Sequence, residues 1–177
     1  MSGEIAAPAD YSAVVGLRDG GTVEIRALRP GDRGDFMAAV GRIAPQSLYR
    51  RFFGVKRGFT EKEVEFFVNV DFIKHVALVA VKEECGRRVI VGGGRYVIAG
   101  PGKAEVAFAV VDEHQGQGIG TALVDHLAAI ARSAGLNELI ADVLPDNIPM
   151  LKVFEKSGFH IRGKSAPGVV HLSLRLR

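Results

Sequence analysis

The chain contains no tryptophan, one cysteine and no apolar run approaching the roughly 18 residues of a membrane-spanning helix. The lone Cys85 excludes an intrachain disulfide and a cysteine-rich zinc site. The five histidines are dispersed without H-x-x-x-H spacing, so no metal is expected. No cationic segment leads into an apolar one at the N-terminus, and the expectation is a soluble, cytoplasmic protein without membrane association. Basic residues are scattered rather than clustered, the net charge is only +3, and aromatics make up 7% of the chain. That balance argues against a nucleic-acid partner and suits a small anionic ligand.

What is present is a chain of 177 residues, 47% hydrophobic and 24% charged. It is long enough to bury one sizeable core. Residues 1–11 read as a flexible leader and 12–177 as a single domain. Ala13–Leu17 and Thr22–Leu28 flank Arg18-Asp19-Gly20-Gly21 and predict a hairpin. Arg29-Pro30-Gly31-Asp32 opens a helix to about Ile43, with Phe36, Met37, Val40 and Ile43 as its apolar stripe. Ser47 is expected to cap a short helix carrying Leu48, Tyr49, Phe52 and Phe53. Thr60-Glu61-Lys62-Glu63 is a capping box ahead of Val64, Phe67 and Val68. Strands then follow at His75–Val81, Arg88–Ala99 and Lys103–Val111. The last third predicts a long helix over Gly118–Ala134, a buried strand Glu138–Leu144, a helix Ile148–Lys156, and strands around Phe159–Arg162 and Val169–Leu176. The order β-β-α-α-α-β-β-β-α-β-α-β-β describes an α/β (α+β) domain, a mixed sheet flanked by helices.

The most informative stretch joins a strand to the long helix: Asp112-Glu113-His114-Gln115-Gly116-Gln117-Gly118-Ile119-Gly120-Thr121. Unpaired N–H groups at such a helix start, reinforced by the helix dipole, form an anion site suited to phosphate. The dinucleotide fingerprint G-x-G-x-x-G fails in both registers, because Thr121 and Leu123 occupy the third-glycine positions, and the Gly-Lys-Ser/Thr of a Walker loop is missing. A nucleotide dehydrogenase or an NTPase is therefore disfavoured.

Gln115, Gly118 and Gly120 instead match Gln/Arg-x-x-Gly-x-Gly/Ala, a motif of the Gcn5-related N-acetyltransferases. Asn147, Gly158 and Phe159 resemble a second motif of that family at the expected spacing. The resemblance covers about residues 12–177 and implies the fold of that family, with a mostly antiparallel central sheet whose strands splay at the acetyl-CoA site. It implies that Gln115, Gly116, Gln117, Gly118, Ile119, Gly120 and Thr121 wrap the pyrophosphate of acetyl-CoA. It further implies that the pantetheine arm meets backbone near Phe108 and Val110, where the Val110 N–H polarises the thioester carbonyl. Asn147 is expected to cap the following helix, to touch the cosubstrate, or to do both. Lys152 and Lys156 read as solvated helix charges.

Acetyl transfer requires a neutral amine, whereas a free lysine has a pKa of about 10.4. Glu105, the one acidic side chain in an otherwise apolar strand, is the candidate general base, and burial there would raise its pKa. Glu24 is a weaker alternative. Where many members of the family carry a tyrosine as general acid this chain has Phe154, which donates no proton. Tyr96 and Ser157 are the nearest replacements in the sequence; an acetyl-cysteine route through Cys85, in a charged turn, is disfavoured.

Leu17–Asp32 and Pro45–Gly54, with Ala-Glu-x-Ala-Phe around Glu105, resemble the acetyltransferase domain of bacterial Pat-type protein lysine acetyltransferases. That likeness implies a lysine of an acyl-CoA synthetase as acceptor. A small-molecule amine is the alternative acceptor, and a non-catalytic acetyl-CoA sensor the alternative function. Tyr49-Arg50-Arg51-Phe52-Phe53 reads either as a surface for an acidic protein or as a core stripe with solvated arginines. A homodimer through the C-terminal strands is an expectation from similar proteins.

Overall fold

In a computed structural model describing residues 7–54, 56, 58–162 and 167–176, the chain forms one sheet of eight strands. The strands are β1 (Ser12–Gly16), β2 (Thr22–Ala27), β3 (His75–Glu84), β4 (Arg87–Gly100), β5 (Lys103–Val110), β6 (Glu138–Val143), β7 (His160–Ile161) and β8 (Val170–Arg175). The helices are α1 (Arg33–Val40), α2 (Pro45–Phe52), α3 (Glu61–Val68), α4 (Ile119–Ser133) and α5 (Ile148–Lys156). The spatial order is β1-β2-β3-β4-β5-β6-β8-β7, and every pairing is antiparallel except β5 with β6. The expected order of elements and the mostly antiparallel sheet are both present.

Strand alternation sorts β5 between two layers. Ala104, Val106, Phe108 and Val110 are buried with α4, where Leu123 and Leu127 are fully enclosed. Burying a side chain of that size contributes about 1.5–3 kcal/mol. Glu105, Ala107 and Ala109 point the other way, towards α1–α3, where the smaller cluster of Leu28, Ala39, Ala77, Val79 and Val81 lies.

Several local expectations change. The chain from Pro30 to Asp32 is a 3-10 turn, and α1 begins only at Arg33. Ser47 does not cap α2: the helix starts at Pro45, whose missing N–H and fixed φ suit the first turn. The expected leader is shorter at its inner end. Residues 1–6 lie outside the described residues, but Pro8–Asp10 form a 3-10 turn and Tyr11 is anchored, its hydroxyl bonded to His126 and its carbonyl accepting from Ala27 N–H. The Thr60–Glu63 capping box is formed as read. Among the described residues no helix is long and apolar enough to cross a membrane.

Candidate active site

The parallel strands β5 and β6 pair only from Lys103 to Glu105 against Glu138 to Ile140, and then part. Val111 N–H donates to the Val91 carbonyl at 2.8 Å, and with the β4–β5 register this fixes which amides face β4. By the alternation of an antiparallel ladder, the amides of Phe108 and Val110 turn into the gap beside β6. Gln115 Nε2 takes the Val110 carbonyl at 3.1 Å, which ties the following loop to the strand end and leaves the Val110 N–H directed at the gap.

The loop then enters α4 through Gly118, whose φ of 100° is a left-handed conformation that side chains rarely adopt. The first intrahelical bond is Ala122 N–H to the Gly118 carbonyl, so the amides of Ile119, Gly120 and Thr121 have no partner within the helix. Gly120 is needed for a different reason: a Cβ there would lie 2.9 Å from the Phe108 ring. Together the strand end, the loop and α5 wall a cleft of about 260 Å³.

Phe108, Val110, Gln115, Gly116, Gly118, Ile119, Gly120, Thr121 and Asn147, the residues that the resemblance assigns to the cosubstrate, all line this cleft. Gln117 does not. Its side chain accepts from Lys82 Nζ at 3.2 Å and its carbonyl from Arg18 N–H, so it fastens the loop to β3 and to the turn of the first hairpin. Asn147 is buried but does not cap α5; its side-chain amide turns instead to Met150 Sδ at 3.6 Å. Its backbone, with ψ at 64°, is not extended as at a typical capping residue.

The lining carries Arg18, Arg50, Arg51, Lys152 and Lys156, and among the described residues no Asp or Glu. Lys152 and Lys156 are solvent-exposed, as expected, and also stand at the cleft wall. Arg50 Nε is buried without a hydrogen-bond acceptor, its nearest carboxylate oxygen, on Asp146, being 3.9 Å away. That is beyond hydrogen-bonding range and leaves a cationic donor aimed at whatever fills the cleft. Strand-end amides, a helix start and five cations form a site for a polyanion that ends in an extended, hydrogen-bonding arm.

The acid and base candidates are placed differently from expectation. Glu105 is exposed: strand alternation turns it away from α4, towards the side of α2 where Arg51 lies, and the expected burial is absent. Glu24 lies three strands from β5, on β2, bonded to Ser12 and Arg88. Phe154 is a core residue, with its ring edge-on to Phe108 at 5.3 Å and against Phe159 at 4.8 Å. Tyr96 is buried in the α4 layer, where desolvation pushes its hydroxyl up to about 12. Neither Tyr96 nor Ser157 reaches the cleft.

The opposite wall comes from α2, which Asp112 holds in place from the loop after β5. One carboxylate oxygen accepts from Ala44 N–H at 2.7 Å and the other from Ser47 Oγ at 2.8 Å. This clamp presents Arg50 and Arg51 to the site. The sequence signal for them was the basic-aromatic run Tyr49–Phe53, but nothing local shows which arginine faces a cavity. Arg51 also walls a second cavity of about 70 Å³, between α1–α3 and the sheet, together with Arg95 of β4. Arg95 Nη1 donates to His75 Nε2 at 2.8 Å and to the Phe67 carbonyl at 3.1 Å. Because a guanidinium only donates, His75 accepts there and is neutral, consistent with burial and the Arg95 charge pushing it down to about 4.

Comparison with known proteins agrees with this geometry. Residues 45–159 match the model of the acetyltransferase (GNAT) family. The chain is 32% identical over 146 residues to the acetyltransferase Pat of Mycolicibacterium smegmatis, an alignment covering 81% of this chain and 43% of that protein. It therefore spans less than half of that relative's length. An acetyltransferase of Pseudomonas aeruginosa is 31% identical over 127 residues, 71% of this chain and 68% of the relative. The crystal structure of the GNAT domain of S. lividans PAT superimposes with a TM-score of 0.85 at 35% identity, covering 93% of this chain and 96% of that one. The parted strands, the glycine loop at the start of α4 and the matched sequence are one pattern: the chain belongs to the acetyltransferase (GNAT) family.

Proposed function

We propose that the protein transfers an acetyl group from acetyl-CoA directly to an amine, the side chain of a protein lysine on an acyl-CoA synthetase-like target, with Glu105 as general base. The observation that carries the reading is the position of Glu105. It is exposed at the last paired residue of β5, just before the strand parts from β6, on the strand whose Val110 amide turns into the gap. A lysine side chain arriving from solvent meets the carboxylate first and the gap next. The resemblance of Leu17–Asp32, Pro45–Gly54 and the segment around Glu105 to Pat-type protein lysine acetyltransferases supports a protein acceptor.

The cleft fits the cosubstrate. Its five cations and the free amides at the start of α4 match the phosphates of CoA, and the unpaired amides of Phe108 and Val110 match a pantetheine arm. The Glu105 carboxylate takes the proton of the incoming ammonium, directly or through water. The neutral amine then attacks the thioester carbonyl, whose developing negative charge the Val110 N–H stabilises. Carbon–sulfur cleavage releases CoA as its thiolate, and the nitrogen, cationic after attack, gives its second proton to solvent water, leaving the neutral amide. With Phe154 in the core, this departure relies on the cationic cleft rather than on a tyrosine proton.

The test is thiol release from acetyl-CoA with an acyl-CoA synthetase and a panel of small amines as acceptors. Glu105→Gln is expected to lower kcat/KM on the synthetase by about 10²–10⁴-fold, while calorimetry finds acetyl-CoA affinity unchanged. Turnover confined to small amines would reject the protein acceptor. Unchanged turnover in the variant would reject Glu105 as base, and binding with no turnover on any acceptor would favour a sensor.

A further inference from the structure

The cavity beneath α2 has no part in the reading above. Its floor is small: Ala77, Gly93, Ala107 and Ala109 all lie on the face of the sheet opposite α4. Its walls are mostly apolar, yet two arginines enter it from different elements, Arg51 from α2 and Arg95 from β4. Among the described residues neither guanidinium forms an ion pair with a carboxylate. The acid that acts on Arg51 electrostatically is Glu105, at the acceptor entrance, and the charge that acts on Arg95 is Arg51 itself.

Each arginine is half-buried and held in position, with guanidinium donors that bond to no described residue. The Arg95 guanidinium stacks at 4.7 Å from the Phe67 ring centroid, and its bonds to His75 and the Phe67 carbonyl both come from Nη1. The donors on Nε and Nη2 have no described partner. Arg51 lies 4.8 Å from the Phe52 ring centroid and makes no hydrogen bond with a described residue. His75, which does not line the cavity, is neutral and uses its free nitrogen on Arg95. Two like charges in an apolar enclosure disfavour each other, as the depression of the Arg95 guanidinium to about 9 by burial and the Arg51 charge reflects. An anion between them removes that repulsion and meets planar forks suited to a carboxylate.

The geometry points to a carboxylate subsite: the cavity between α2 and β3–β5 takes the carboxylate of a reacting partner between Arg51 and Arg95. Size selects the ligand further. At about 70 Å³ the cavity is smaller than the roughly 150 Å³ of an engineered cavity that holds benzene, which favours a carboxylate on a short methylene stem over a ring. Arg51 walls both this cavity and the cosubstrate cleft, so a carboxylate here sits beside the strand end where the thioester is read to lie. It is carried either by the acyl group, as in a dicarboxylic acyl-CoA, or by the acceptor amine, as in an amino acid. The inference rests on the acetyl-transfer reading only for that choice of source.

The deciding experiment titrates the CoA-saturated protein with malonate by calorimetry at constant ionic strength, with malonamide as the uncharged control. Malonate is expected to bind saturably and malonamide not at all. Arg95→Met and Arg51→Met should each weaken malonate at least tenfold, and Arg95→Lys, which keeps the charge without the planar fork, should fall between. Equal malonate affinity in wild type and Arg95→Met, or no binding to wild type, overturns the subsite. Two turnover arms identify the source: succinyl-CoA against acetyl-CoA on one amine, and an amino acid against its amide with acetyl-CoA. A tenfold preference for the carboxylated partner on one arm, lost in Arg95→Met, supports the proposal and names the source; turnover on both arms without preference overturns it. Absence of all turnover, with malonate binding still dependent on Arg95, would reject acetyl transfer and support the subsite.

Discussion

Two corners of the molecule treat a half-buried arginine in opposite ways. At the start of α1, Arg26 from β2 makes a two-pronged pair with Asp32, Nη1 to Oδ2 at 2.8 Å and Nη2 to Oδ1 at 2.9 Å. Asp32 is only 7% exposed, and one of its oxygens also accepts from Arg29 N–H at 2.7 Å. Burial alone would raise this carboxyl; the bonds from Arg26 and Arg29 nevertheless hold it below the usual aspartate range. Under α2, Arg51 and Arg95 have a comparable apolar setting and no such partner. The first corner is a closed electrostatic unit that fixes the entry to α1. The second retains unused donors, and unused donors around a cavity are the mark of a binding surface rather than of a structural one.

The largest test of this contrast is to convert the first corner into the second. Asp32→Ala leaves Arg26 half-buried and unpaired, and is expected to cost about 3–5 kcal/mol in urea unfolding. A loss below 1 kcal/mol would show that solvent reaches Arg26 as readily as a partner does. In the opposite sense, Arg95→Met removes an uncompensated charge and is expected to raise the melting temperature by about 2–4 °C, roughly 1 kcal/mol for a chain of this size. A fall would mean that its bonds to Phe67 and His75 outweigh the burial of charge.

Asp112→Ala releases Ala44 and Ser47 together. It is expected to cost about 1–2 kcal/mol and to raise the KM for acetyl-CoA, since the clamp presents Arg50 and Arg51. A change in stability alone would detach α2 from the cleft.

The smallest effect expected is a pH slope. The folded value of His75, pushed down to about 4 by burial and the Arg95 charge, lies below its unfolded value of about 6.5. The unfolded chain therefore binds the proton first, and stability should decline as pH falls from about 6.5 towards 4. Asp32 adds loss of the same sign only at lower pH, through its own depressed range. Denaturant midpoints between pH 7 and 4.5 should slope less in His75→Gln than in wild type; identical slopes would assign the acid limb to other groups.

The order of all thirteen strands and helices was legible in the chain, because hydrophobic period, turn glycines and the capping box act over a few residues. The glycine loop was legible for the same reason: Gly118 at φ 100° is a local demand that the sequence shows directly. The predicted cosubstrate residues converge on one cleft, except for Gln117, whose outward turn depends on Lys82 and Arg18 of other elements. Glu105 was identifiable as an acid in an apolar strand, but whether a layer covered it was not. Asp112 and Ala44 stand 68 positions apart, so the clamp on α2 exists only once the sheet is assembled. The same holds for the arginines. Sequence alone determines that they are present and charged; whether each meets a carboxylate, as Arg26 does, or an open cavity, as Arg51 and Arg95 do, is decided by which elements the fold brings face to face.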